Sequence, residues 1–464
     1  MKAICLSLLL IPHFCLSWVS PESFDSTYLE IEESIFSATI KGRYRDARGL
    51  LSNDVVDHII NDNDNLVHDD FNIPSFFEDS VRFWFSIYTQ YTSEQVVIHD
   101  SENLGLVYNV LDFSELHNHK EVHYFAKAKL QTQLSQEYTK RLKKILKRMA
   151  RKKQNKLNAE EDDIATTIIK AGLTIPKSSR KRRKFFTKLV DNLRTQTGQR
   201  NLIYQGVNRA LPYFDFLEDK IKLFGLPKEL IAISFLESSF NIKAHSKVSA
   251  VGIWQFMPFI GNLFMPRSSK NVDYRRNPII SSLAAFHLLK ENKLILRRWD
   301  LAVPAYNSGP KHLKKAIKKF SKHKDKKNIG LEYILKNYEH PHIGFASKNF
   351  YSEFLALTRV LAYKSKIYPL KGLKNNQNFK NVDIYVSKCR IKPIKIFKAL
   401  KENSPQITDL NYHFLNPHKV YSRGHLIVSD LSLTSRKYYK LSDKQIKSVF
   451  PKKYKKFIKS KSCQ

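Results

Sequence analysis

The strongest constraint on this chain is a helical run that closes on an acid. Pro227 stands where a first helical turn accepts proline, and Leu230, Ile231, Ser234, Phe235 and Leu236 then surround the axis with mainly apolar side chains. A helix apolar on most sides is largely buried. Glu237 ends the run, just before Ser238-Ser239. A carboxyl in that place is partly desolvated and lies near the negative end of the helix dipole, and both effects raise its pKa. It is then protonated near neutral pH, as a general acid must be to protonate a leaving oxygen. Taken alone, a glutamate at a helix end is more often an ordinary surface group.

Two turn motifs follow at domain-sized spacing. Gly252-Ile253-Trp254-Gln255-Phe256-Met257-Pro258 sets one amide side chain among large apolar neighbours. Gln255 both donates and accepts, which suits acetamido and hydroxyl groups. Ala305-Tyr306-Asn307-Ser308-Gly309-Pro310 has a loop signature, with Gly and Pro setting the turn while Tyr306 and Asn307 present hydrogen-bonding groups. Each motif is weak singly, but their order and spacing together are specific.

On these elements, residues 200–363 resemble the lytic transglycosylase domain of the soluble-lytic-transglycosylase family, in the version of its membrane-bound lytic murein transglycosylase D subgroup. The resemblance implies a lysozyme-like fold and cleavage of the β-1,4 bond between N-acetylmuramic acid and N-acetylglucosamine. It implies Glu237 as the catalytic acid and then base, no cofactor and no metal. It places Ser238, Ser246, Gln255, Met257, Tyr306 and Asn307 at the substrate. Retaining glycosidases need a second carboxylate about 5 Å away; Ser238-Ser239-Phe240-Asn241 offers none, consistent with one-carboxylate chemistry. The family usually carries Glu-Thr-Arg-x-Tyr, whose tyrosine lines the site. Here the corresponding stretch is Ala346-Ser347-Lys348-Asn349-Phe350-Tyr351, so Phe350 stands at the tyrosine position and Tyr351 points about 100° away on a helix. Other readings are a muramidase that lets water attack, and a non-catalytic or weakly active peptidoglycan-binding protein.

The expected fold class is mainly α, within α+β. The first residues carry a targeting segment: Lys2, an apolar run from Ala3 to Leu16, and small residues for cleavage after Ser17, hence 1–17 as a signal peptide. That run is shorter than the roughly 20 residues of a membrane span. The expected location is therefore the periplasm or cell envelope, peripheral to a membrane at most. Residues 21–115 form a mixed N-terminal module, with a helix over Val81–Tyr88 and strands over Gln95–His99 and Gly105–Leu111. Residues 120–199 form a basic helical region. In it Leu142, Ile145, Leu146 and Met149 fall on one face, and Arg151–Asp163 and Pro176–Lys184 read as loops. Residues 376–450 read as a small strand-helix-helix-strand module, distantly similar to a LysM wall-binding module, with Leu410-Asn411 before its closing strand.

The net charge of +36 lies mostly beyond Lys127. Such a face binds polyanions or is simply solvated. Export makes nucleic acid an unexpected partner, and no nucleic-acid motif is present. Peptidoglycan glycan strands, with carboxylates on their stem peptides, fit the compartment. The basic helices offer a second partner, a membrane surface, against the commoner outcome of packing on a neighbour. His119 and His123 at i, i+4 suit a shared helix face, yet solvent-facing histidines are the commoner case. Cys389 and Cys463, the two cysteines outside the targeting segment, are free or form one bridge.

Overall fold

The computed structural model describes residues 51–153, 156–338, 345–369, 379, 381–433 and 436–449. The targeting segment and Cys463 lie outside them. The described residues divide into two compact units, one built from 51–64 and Ile73–Ile203, the other from Asn65–Asn72 and those from Tyr204 onward.

In the first unit, helix α1 (Asn53–Ile60) is capped by Ser52, which accepts from the Val55 amide. Helix α2 (Glu78–Thr89) buries Val81, Phe83, Trp84, Phe85 and Ile87. Strands β1 (Gln95–Asp100) and β2 (Val107–Asp112) pair antiparallel where the β-branched runs predict. Helix α3 (Tyr124–Met149) lays Leu142, Ile145, Leu146 and Met149 into one core with Val96, Ile98, Leu111, Phe186 and Leu189. Full burial of each such side chain stabilises by about 1.5–3 kcal/mol, which decides for packing this stripe rather than exposing it.

Several expectations change here. The modules 21–115 and 120–199 are not separate: strand β3 (Leu193–Thr197) pairs antiparallel with β1, giving a sheet ordered β2-β1-β3. Its sequence, Leu-Arg-Thr-Gln-Thr, has no apolar alternation, so tertiary pairing and not pattern makes it a strand. The loop expected over Arg151–Asp163 ends early, because helix α4 (Ala159–Lys170) starts at a capping box of Asn158 and Glu161. The Glu161 carboxylate, enclosed with Lys152 at 2.6 Å and Arg148 at 3.3 Å, is held below its usual pKa although burial opposes this. The loop expected over Pro176–Lys184 likewise yields to helix α5 (Ser179–Asn192). His119 ends the short helix Ser114–Asn118 and His123 caps α3, so the two do not share a helix face. His99 is buried, its Nδ1 lies 3.0 Å from the Asp100 carbonyl, and burial lowers its pKa to about 4.

The second unit holds the expected catalytic region and more. Asn65–Asn72, assigned by pattern to the N-terminal module, belongs to it. Phe71 is fully buried against Trp299 and Phe354, and the Arg359 guanidinium donates to the Phe71 carbonyl at 2.6 Å. The central helix α9 (Pro278–Leu296) is buried on nearly all sides and is capped by Asn277, whose side-chain oxygen accepts from Ile279 and Ile280. Further helices of this unit are α6 (Arg200–Ala210), α7 (Ala232–Ser238), α8 (Pro258–Phe264), α10 (Pro304–Ser308) and α11 (Phe345–Ala362); α8 and α10 pack on α9, and α11 packs on α7 and α10. The fold is mainly α with small sheets, as expected.

The C-terminal module starts with β4 (Asp383–Ser387) and helix α12 (Pro393–Leu400). The second helix expected over Ile407–Leu415 is only a 3₁₀ turn, Asp409–Asn411. After β5 (Leu426–Ser429) come an unexpected strand β6 (Tyr438–Lys440) and helix α13 (Asp443–Val449), with sheet order β5-β4-β6. Asn411 braces the sheet by donating to Ile407 and Val428 carbonyls and accepting from Val428. Cys389, between β4 and α12, is disulfide-bonded. This module belongs to the same compact unit as residues 204–369.

Candidate active site

Glu237 sits in the last turn of α7, and the helix stops two residues later. Ser239 and Phe240 take left-handed φ values of 49° and 54°. Arg209 of α6 holds this reversal, donating to the Ser239 carbonyl at 2.6 Å. Gly206 lets α6 come close: a Cβ there would lie 2.5 Å from the Ser239 carbonyl oxygen. The helix end is thus fixed in place, and Glu237 remains half-buried beside it.

Burial, and secondly the carboxylate of Glu353, push the Glu237 carboxyl up to about 8. It is therefore largely protonated at neutral pH. Glu353 was not singled out in the sequence. It lies on α11, which packs on α7, and it is nearly inaccessible. The charge of Glu353 acts on Glu237 from 116 positions along the chain (353 − 237), where no local pattern could reveal it.

The Gly-x-x-Gln turn closes on itself. Gly252 has φ +77°, and a Cβ there would lie 2.2 Å from the Arg275 carbonyl oxygen. Only glycine fits both demands. Gln255, itself at φ +46°, donates from Nε2 to the Gly252 carbonyl at 2.8 Å, so its amide plane is pre-set. Trp254 and Phe256 are core residues rather than cleft walls: Trp254 is fully buried and donates from Nε1 to Ser282. Met257 (41% exposed) and Phe259 (71% exposed) instead present apolar surface at the start of α8.

The other expected site residues divide by role. The Ser238 hydroxyl donates to the Ile253 carbonyl at 2.9 Å and accepts from the Asn241 amide, so it ties the Glu237 helix end to the Gly252 turn. The Ser246 hydroxyl accepts from the Ala250 amide and closes the preceding loop. Both hydroxyls are buried and bonded to backbone. The Ala-Tyr-Asn-x-Gly stretch, expected as a loop, is the one-turn helix α10 ended by Gly309 at φ +73°. It leaves Asn307 exposed and directs the Tyr306 hydroxyl to the Trp254 carbonyl at 2.8 Å. Burial, and secondly the charge of Glu237, raise the Tyr306 pKa well above its usual value. Tyr306 is therefore a phenol next to Glu237. Tyr351 is elsewhere: its surroundings are Asp300, Arg359, Arg298 and Asp70. Phe350 is buried on α11.

Glu237, the Gly252 turn and Tyr306 all fall within one stretch of the chain that resembles known proteins. Residues 218–329 match the family model of the transglycosylase SLT domain. Over that stretch, about a quarter of the sequence, the chain is similar to the transglycosylase SLT domain. It is 37% identical over 111 residues to membrane-bound lytic murein transglycosylase D of Escherichia coli (strain K12), a match covering 24% of this chain and 25% of that protein. It is 33% identical over 110 residues to a putative tributyltin chloride resistance protein of Alteromonas sp. (strain M-1), covering 24% of this chain and 53% of that one. The match to the transglycosylase thus spans about a quarter of that relative's length. The SLT match ends before α11, so Phe350 and Glu353 lie beyond it. Among the described residues no helix is long and apolar enough to cross a membrane.

Proposed function

We propose that this chain is a peptidoglycan lytic transglycosylase that cleaves the β-1,4 bond between N-acetylmuramic acid and N-acetylglucosamine and leaves 1,6-anhydro ends. The observation that carries this reading is the Glu237 carboxyl raised to about 8, fixed at a helix terminus beside the Gly252 turn. Glu237 gives its proton to the glycosidic oxygen as the C1–O bond breaks, and the N-acetylglucosamine leaves as an alcohol. The substrate's own acetamido group holds the positive charge at C1. The Glu237 carboxylate then takes the C6 hydroxyl proton while that oxygen bonds to C1, so the acid is regenerated and no water is consumed.

Gln255, Met257 and Asn307 contact glycan in this reading, Tyr306 holds the turn next to Glu237, and Ser238 and Ser246 fix the backbone that carries them. The polymer is reached in the cell envelope after export, with the C-terminal module adding wall affinity. Glu353 favours a second reading, since a nearby carboxylate is what a water-using muramidase employs. Incubating the protein with purified sacculi and weighing the released muropeptides decides between them. Anhydro ends support the transglycosylase, reducing ends the muramidase, and no release at all refutes both.

A further inference from the structure

The segment Asn271–Asn277 lies between the Gly252 turn and the C-terminal module and is bonded to both. On the module side, the Asp273 amide donates to the His413 carbonyl at 2.9 Å and the Leu415 amide to the Asn271 carbonyl at 2.9 Å. Val272 and Phe414 form an antiparallel bridge. The Tyr421 hydroxyl lies 3.1 Å from the Asn271 carbonyl and 2.7 Å from the Asn416 carbonyl, between which it shares its one proton, and the Tyr274 hydroxyl accepts from the Leu426 amide and lies 3.0 Å from His425 Nδ1. Asn277 donates to the Leu410 carbonyl at 2.6 Å and to His413 Nδ1 at 2.9 Å. The other ring nitrogen of His413 faces the Leu426 carbonyl, which only accepts. His413 is therefore neutral with its proton on Nε2, accepting from Asn277 and donating to Leu426.

On the turn side, one guanidinium does the holding. Arg275 donates from Nε and Nη2 to the two Asp273 oxygens at 2.9 and 2.7 Å. Its Nη1 donates to the Ser249 carbonyl at 2.7 Å and the Phe256 carbonyl at 2.8 Å, the residues just outside Gly252–Gln255. Asp273 and Arg275 are both buried. A planar fork with donors on two edges makes these four bonds at once, and a lysine ammonium does not. From the turn the path continues to the catalytic group: the Ile253 carbonyl accepts from Ser238, adjacent to Glu237, and the Trp254 carbonyl accepts from Tyr306.

We infer that Asp273 and Arg275 are positioning residues for the Glu237 site, set in place by the C-terminal module, so that the module takes part in glycan cleavage as well as in wall affinity. A tethered binding domain needs no such seam, since linkage alone raises local concentration. Here the module's His413 carbonyl fixes Asp273, Asp273 aims Arg275, and Arg275 fixes the turn on which Glu237 and Tyr306 rest. The catalytic half of this inference rests on the transglycosylase reading above. The mechanical half does not.

The test uses full-length protein in two forms. Tyr274→Phe combined with Tyr421→Phe removes the two Tyr274 seam hydrogen bonds and the shared Tyr421 contact with Asn271 while keeping both rings. Arg275→Lys breaks the link one step further on. Amide hydrogen exchange of residues 249–256 is expected to rise about tenfold or more in both, because local opening becomes easier. Exchange over Leu426–Ser429 rises only in the double tyrosine variant. On soluble glycan fragments kcat falls by roughly 10- to 100-fold in Arg275→Lys, as a small misplacement of a catalytic group costs, while KM stays within about threefold. Unchanged exchange at 249–256 in either variant overturns the relay. A rise in KM with kcat unchanged overturns the positioning role and leaves the turn a binding element. If the wild-type protein releases no muropeptides, the transglycosylase reading fails, and the exchange data still decide the relay.

Discussion

Replacing Glu237 by glutamine tests the raised acidity through stability as well as through activity. The folded-state pKa is about 8, well above the ordinary glutamate value of 4.5. A carboxyl raised in this way is harmless below its unfolded pKa, where both states hold the proton. As pH rises from 4.5 toward 8 the unfolded chain ionises while the folded carboxyl does not, and stability falls with pH. Each pH unit is worth about 1.36 kcal/mol, so at pH 7 the strain is on the order of 3 kcal/mol before screening. Glu237 retains some solvent access, and screening there reduces this to about 2 kcal/mol. Glutamine fills the same volume and never ionises. Glu237→Gln is therefore expected to match wild type at pH 4 and to melt about 4–8 °C higher at pH 7, using about 2–4 °C per kcal/mol for a unit of this size. It should also lose sacculus cleavage by about two to four orders of magnitude while still binding sacculi. The measurement is thermal unfolding of both proteins from pH 4 to 9, with muropeptide release in parallel. A melting difference that stays constant across that range, or a variant that still releases muropeptides at the wild-type rate, refutes the assignment.

Three further outcomes follow from the same geometry. Removing the neighbouring charge by Glu353→Gln lowers the Glu237 pKa, so the alkaline limb of kcat/KM moves toward acid; a limb that stays put rejects Glu353 as its electrostatic partner. Gly252→Ala places a Cβ 2.2 Å from the Arg275 carbonyl at a φ of +77° and should cost about 2–4 kcal/mol with loss of cleavage, whereas wild-type melting would reject the close approach. Phe350→Tyr is expected to raise the cleavage rate several-fold, since one added hydrogen bond is worth about 0.5–1.5 kcal/mol. No gain there, together with a large loss in Tyr306→Phe, would show that Tyr306 already supplies the site's phenol.

By itself the sequence determined the elements whose side chains repeat with a period. The stripe Leu142, Ile145, Leu146 and Met149 is helical because that spacing faces one side. The β-branched runs at Gln95–His99 and Val107–Leu111 are strands for the same kind of reason. Glu237 stood out in the sequence because it closes an apolar helical run ahead of two turn motifs, and Gly252 because a glycine turn has local rules. The tertiary structure alone decided what depends on distant partners. Strand β3 exists because β1 offers it an edge, and its own residues carry no strand pattern. Asn65–Asn72 joins the second unit because Phe71 finds an aromatic pocket there. The hydroxyls of Ser238 and Ser246 turned inward to backbone groups, which no residue type announces. Glu353 meets Glu237, and Arg275 meets the Gly252 turn, only because packed helices and a fixed seam bring together residues far apart in the chain. Periodicity and turn chemistry are local and are written in the sequence, while electrostatic coupling and hydrogen-bond pairing act through space and are settled by folding.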